Sequence, residues 1–83
     1  MQTIITKTLI EKGYEVSNFY NSGLELTRSE NGYKVTATVG EETFEITVYD
    51  VDAREFVTSI DCKLETLTLD KVVNIIEIAE GCF

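Results

Sequence analysis

The sequence predicts an α+β fold: a four-stranded antiparallel meander sheet with an N-terminal and a C-terminal helix packed on one face, in the order α-β-β-β-β-α. Three observations lead there. Between residues 24 and 60 apolar side chains recur at every second position, and short turn-forming groups interrupt them. On both flanks of that region the spacing changes to that of a helix. The chain of 83 residues has room for one core only, so residues 1–83 are read as a single domain.

In "TIITKTLIEKG" Ile5 and Leu9 stand one helical turn apart, with Ile4 and Thr8 beside them, and Gly13 follows where a C-cap glycine belongs. Three threonines lower the helix propensity of this segment. The next stretch, "YEVSNFYNSG", reads either as a short strand or as a packed loop, closed by the turn signal Asn21-Ser22-Gly23. Of its adjacent aromatics Phe19 and Tyr20, one is expected in the core and Tyr20 outside, available as an interface anchor.

Period two begins at "LELTR" (24–28), with Leu24 and Leu26 on one face. It continues in "YKVTATV" (33–39) with Tyr33, Val35, Ala37 and Val39. The intervening "SENG" carries the Asn-Gly pair of a tight hairpin. "TFEITVY" (43–49) points Phe44, Ile46 and Val48 inward, and "REFVTSI" (54–60) is expected to bury Phe56 and Ile60. The opposite face carries Glu25, Thr27, Lys34, Thr36, Thr38, Glu45, Thr47 and Tyr49, a hydrated surface.

The C-terminal "LTLDKVVNIIEIAEG" returns to helical spacing. Thr68 suits an N-cap, Asp70 the first turn, and Leu67 with Val72 a hydrophobic staple. Leu69, Val72, Val73, Ile76 and Ala79 form the expected core stripe, with Gly81 as the stop; Ile75 and Ile78 widen it enough to call for further cover or a partner.

The net charge of −8 opposes direct binding to nucleic acid or to an anionic membrane, because phosphate is met by Lys and Arg. No apolar run approaches the ~20 residues of a membrane span. Cys62 and Cys82 form no CxxC, and Met1 leads directly into "QTIITKTLIEKG" without a signal peptide. Free thiols in a reducing cytoplasm are therefore expected.

Histidine is absent, which removes the commonest general base and metal ligand. No Gly-rich phosphate loop occurs. "DVDARE" offers Asp50, Asp52 and Glu55 as oxygen ligands, but it lacks the glycine and spacing of an EF-hand and holds Arg54 among the acids. It reads better as a solvated turn. No catalytic, cofactor-binding or metal site is expected, and no enzymatic activity.

Charge placement is more informative. With the strands in chain order, one end of the sheet gathers Glu25, Glu41, Glu42, Glu45, Asp61 and Glu65 against Lys63 alone. The other end nearly balances Glu30, Asp50, Asp52 and Glu55 with Arg28, Lys34 and Arg54. A single acidic turn is ordinary loop chemistry, and acidity in general serves solubility. Clustering serves neither, since like charges packed together repel.

Carboxylates on one face of a strand stand ~7 Å apart, and successive phosphates of a DNA strand advance 3.4 Å along the helix axis. In size, charge and layout the chain resembles, in mode of action, the small acidic inhibitors of phages and mobile elements, the anti-restriction and anti-CRISPR proteins. That resemblance implies a protein-binding module that occupies a basic, nucleic-acid-binding surface of a partner, such as a nucleic-acid-processing enzyme. The expected partner-binding residues are Glu25, Glu41, Glu42, Glu45, Asp61, Tyr49 and Tyr20, on a monomer or homodimer. The alternative is a small structural subunit that self-associates through a strand edge or the last helix, with Ile75 and Ile78 in the contact.

Overall fold

A computed structural model describes residues 1–83. Helix α1 (Gln2–Glu11) leads into strands β1 (Glu15–Tyr20), β2 (Gly23–Glu30), β3 (Tyr33–Val39), β4 (Thr43–Asp50) and β5 (Glu55–Lys63), and helix α2 (Leu69–Ala79) follows. All neighbouring strands pair antiparallel in chain order. The α+β meander with terminal helices is as expected, but it has five strands rather than four.

The additional strand is β1. Every one of its residues is exposed, so no buried alternation marks it. Its register also breaks between Val16 and Asn18: Val16 pairs with Leu26 and Phe19 with Leu24 on the helix side, while Asn18 pairs with Glu25 on the other. A bulge of this kind puts one residue out of step and erases period two.

Helix α1 buries Ile5 and Leu9 completely. Its Thr6 and Thr8 hydroxyls donate to the carbonyls of Gln2 and Ile4 at 3.0 and 2.8 Å, which keeps them from competing for other backbone groups. Gly13 closes the helix at φ +95°. Its N–H donates to Ile10 O, and that of Tyr14 reaches back to Leu9 O, both at 3.0 Å, as in a Schellman cap. Tyr14 then drops into the core beside Leu9.

The β2–β3 hairpin turns on Asn31 and Gly32, both at positive φ (53° and 82°), the combination a type I′ turn requires. At the other end of β2, Gly23 has no room for a side chain: a Cβ there would lie 2.1 Å from Val39 O. Leu26, Val35, Ala37, Val39, Phe44, Ile46 and Val48 form the sheet's contribution to the core, and Ile5, Leu9, Leu67, Val72, Ile76 and Ala79 contribute from the helices and their flanks. The helices therefore cover one face: α1 packs on β3, α2 on β4, and the two touch each other.

In α2 the Thr68 side chain accepts from Lys71 N–H at 3.3 Å, and Leu67 and Val72 are both buried, as the cap and staple require. Leu69 departs from the expected stripe at 51% exposed, and Val73 is only half-buried. Leu67, just before the cap, is buried where the helix meets the core, so the first-turn leucine is left outside. Phe56 departs more sharply, at 72% exposed. A second register break, between Val48 and Tyr49, pairs Val48 with Thr58 but Tyr49 with Phe56. Val57 is the extra residue, and Phe56 is turned onto the open face against Tyr49 in an edge-on contact, with ring centroids 5.1 Å apart. Ile60 stays on the helix side, half-buried.

Candidate functional site

On the face away from the helices, strand register arranges side chains in cross-strand rows. One row runs Asn18, Glu25, Thr38, Glu45, Asp61. The next runs Glu15, Thr27, Thr36, Thr47, Ser59, and the third holds Ser29, Lys34, Tyr49 and Phe56. The face thus grades from acids through hydroxyls to a lysine and two aromatic rings. Small β-branched hydroxyls between the outer rows suit a hydrated sheet surface.

Within the acidic row Glu45 and Asp61 stand directly opposite each other. Glu25 lies two strands away, about 10 Å at ordinary strand spacing, with Thr38 between it and Glu45. Glu25 is held in place by neutral donors: Ser17 Oγ donates to its Oε1 at 2.8 Å and Tyr20 OH to its Oε2 at 3.1 Å. These bonds orient the carboxylate without pairing it with a cation. The ion pairs of the chain are both made by Arg28, with Glu30 and Glu80, so no carboxylate of this row is paired.

Glu41 and Glu42 sit in the β3–β4 turn at the same end of the sheet. That turn is anchored, since Gly40 N–H donates to Thr43 O at 2.9 Å and Leu64 N–H to Glu42 O at 2.8 Å. A shallow hollow of about 330 Å³ is lined by Glu41, Glu42, Thr43, Lys63, Leu64 and Glu65. Lys63 is the only base there, and it makes no ion pair.

Register therefore brings together Glu25, Glu45 and Asp61, with Glu41, Glu42 and Glu65 at the same end and Tyr20 beside Glu25. The fifth strand extends this end without dispersing it. Tyr49 is not part of the cluster. It lies four residues along β4 from Glu45, ~14 Å at strand rise, half-buried against Phe56. Tyr20 is 48% exposed and on the open face, as expected; Phe19, expected in the core, is 74% exposed on the helix side of the edge strand, where no helix reaches it.

At the opposite end Arg28 joins groups that sequence spacing does not connect, while Asp50, Asp52, Glu55, Lys34 and Arg54 make no ion pair. Arg28 points to the helix side and donates to Glu80 at 3.0 Å and Glu30 at 2.8 Å, with its guanidinium 5.0 Å from the centre of the Phe83 ring. Tyr14 OH donates to the same Glu80 oxygen at 2.9 Å. Burial, then the Glu80 hydrogen bond and charge, push the Tyr14 hydroxyl far above the usual phenol range. Asn31 Nδ2 donates to Phe83 O at 3.0 Å and completes the tie between the C-terminal turn and the β2–β3 hairpin.

"DVDARE" is structural in its contacts: Asp50 Oδ1 accepts from Ala53 N–H at 3.0 Å, and Arg54 adopts φ +57°. No three acidic or thiol side chains converge as a metal ion would need. Cys62 and Cys82 are free and half-buried. Burial pushes both thiols up, and the neighbouring charge of Asp61 adds to the shift at Cys62. No helix is long and apolar enough to cross a membrane.

Set against protein-family models, curated proteins and solved structures, the chain matches none. What the coordinates define is a one-sided α+β sheet whose open face ends in an unpaired acidic row.

Proposed function

We propose that the protein is a non-enzymatic binding module that presents its acidic end to a basic protein surface, in the sharper form a surface that otherwise holds nucleic acid. The observation that carries this reading is the row Glu25, Glu45, Asp61, three carboxylates on a rigid sheet without a cation paired to any of them. Directly opposed like charges cost stability, and the fold makes no local contact that offsets the cost. A cationic partner would offset it. Glu41 and Glu42 extend the acidic surface past the sheet, and Tyr20 supplies a ring at its rim. Inhibition of the anti-restriction or anti-CRISPR type is the biological form that fits a small acidic module of this layout.

The test is capture of partners from a lysate of the source cell by the immobilised protein, followed by elution with excess nucleic acid. Proteins that bind nucleic acid should be retained, released by DNA or RNA and by salt, and lost with Glu41→Lys/Glu42→Lys/Glu45→Lys. Equal retention by the charge-reversed variant would contradict the reading.

A second reading is favoured by one observation. Strand β5 is an open edge with Phe56 and Val57 exposed, and Ile78 stands out from α2. These are features of a subunit that associates with itself. Sedimentation at low and high salt separates the two, since apolar self-association persists in salt.

A further inference from the structure

Strand β5 ends the sheet with a bare backbone edge: from Thr58 to Cys62 no main-chain group on the side away from β4 is bonded within the chain. The other edge strand, β1, breaks step between Val16 and Asn18 and offers no regular run longer than three residues. In β5 the break lies near the start, at Val57, and Thr58–Lys63 stay in regular register with β4. Thr58, Ile60 and Cys62 face the helix side, opposite the core residues Val48, Ile46 and Phe44, while Ser59, Asp61 and Lys63 lie on the open face. Ile60 and Cys62 pack against the core and are half-buried, so core surface runs out to this edge. Natural edge strands are blunted by bulges and lysines. Here the bulge and Lys63 flank the run from Thr58 to Cys62, and Asp61 is the only charge inside it.

A strand added to this edge satisfies its backbone groups, and the side chains decide the register. Two copies related by a two-fold axis pair antiparallel, with one residue facing its own copy. With Ser59 at the axis, the Val57 bulge of each copy interrupts the ladder two residues away. With Asp61 at the axis, two carboxylates oppose each other. With Cys62 there, the strand ends one residue further on, at Lys63. Ile60 at the axis matches the whole run: Thr58 with Cys62, Ser59 with Asp61, Ile60 with itself. Ile60 then meets Ile60 between two Thr58–Cys62 pairs, which joins the cores, and each Asp61 stands opposite a Ser59 hydroxyl.

We infer, on the self-association reading of the β5 edge, that the chain forms a two-fold dimer by antiparallel pairing of β5 with β5 of a second copy, Ile60 lying at the axis. The two Asp61 side chains are then diagonal neighbours, ~7–8 Å apart, and each chain carries a net charge of −8. Repulsion between the copies is screened by salt, so the dimer tightens as salt rises.

The test combines sedimentation with single-cysteine cross-linking. Residues that face their own copies have Cα atoms ~5 Å apart, within the reach of a disulfide, whereas beyond ~7 Å none forms without backbone movement. In a Cys62→Ser/Cys82→Ser background, whose circular dichroism shows that it folds, Ile60→Cys should oxidise to a linked dimer about tenfold faster than Thr58→Cys, Ser59→Cys or Asp61→Cys. In the chain that keeps its native thiols, Thr58→Cys should cross-link to Cys62 of the second copy. Thr58→Lys, at an exposed position, sets a lysine into the edge and should weaken the dimer about tenfold. A dimer that cross-links fastest at another position, or through Cys62 to Cys62, would overturn this pairing and leave self-association standing. A monomer at millimolar concentration in both low and high salt would overturn both.

Discussion

Replacing Glu45 with glutamine removes one of two carboxylates that face each other across β4 and β5 while keeping the size and polarity of the side chain. Side chains directly opposite on an antiparallel pair have Cβ atoms ~5 Å apart, and the carboxylates can splay to ~6 Å. Two unit charges at ~6 Å in water repel by about 0.7 kcal/mol. With a screening length of ~8 Å at physiological ionic strength, roughly half of that remains. Glu45→Gln should therefore stabilise the fold by about 0.6 kcal/mol in 10 mM salt and about 0.3 kcal/mol in 0.15 M, and not measurably in 1 M. For a domain of this size the low-salt gain corresponds to ~3–5 °C in Tm. Urea melts of the parent, Glu45→Gln, Asp61→Asn and the double variant at the three salt concentrations give the gain and its coupling. The double variant should gain less than the two single gains combined, since either substitution alone removes the repulsion. A loss of stability in Glu45→Gln at low salt, or a gain that salt does not erase, would show that the opposed carboxylates do not strain the sheet.

Gly23→Ala should be among the most damaging single changes, because its Cβ would lie 2.1 Å from Val39 O and the β2–β3 pairing must shift; a loss of about 2 kcal/mol or more is expected in a urea melt. Tyr14→Phe removes the hydroxyl that donates to Glu80 and should cost about 1 kcal/mol at neutral pH. The Tyr14 hydroxyl is raised in the fold, so its contribution is fully present below the unfolded phenol value near 10 and is lost as pH rises beyond it. The parent should therefore lose stability faster than Tyr14→Phe above pH ~10, at up to about 1.4 kcal/mol per pH unit. The raised Cys62 thiol should react with a disulfide reagent more slowly at pH 8 than free cysteine does, and match it only after unfolding.

Much of the fold is legible in the sequence, because the elements that bury a face must show it in their spacing. Ile5 and Leu9, the alternation through β2, β3 and β4, the Asn31-Gly32 turn and the Thr68 cap all follow from local rules that the tertiary structure obeys. The departures sit where burial gives no signal. Strand β1 buries no residue between Glu15 and Tyr20, so only its pairing with β2 identifies it. The bulge at Val57 reverses the face of Phe56, and a register slip of one residue cannot be read from alternation that the slip itself interrupts. The acidic row was legible for a different reason: in a meander, strand ends alternate strictly, so chain order alone decides which turns share an end. Tyr49 shares the face but not the end. The Arg28, Glu80 and Tyr14 contacts join residues up to 66 positions apart, and no short-range pattern records them.

The most direct measurement is the affinity of the protein for a captured partner as a function of salt, for the parent and for Glu25→Gln/Glu41→Gln/Glu42→Gln/Glu45→Gln. If the acidic end carries recognition, log K for the parent should fall steeply with log salt, and the neutralised variant should bind more weakly with a flatter slope. Equal affinity and equal slope for both proteins would mean that the carboxylates at that end do not make the contact.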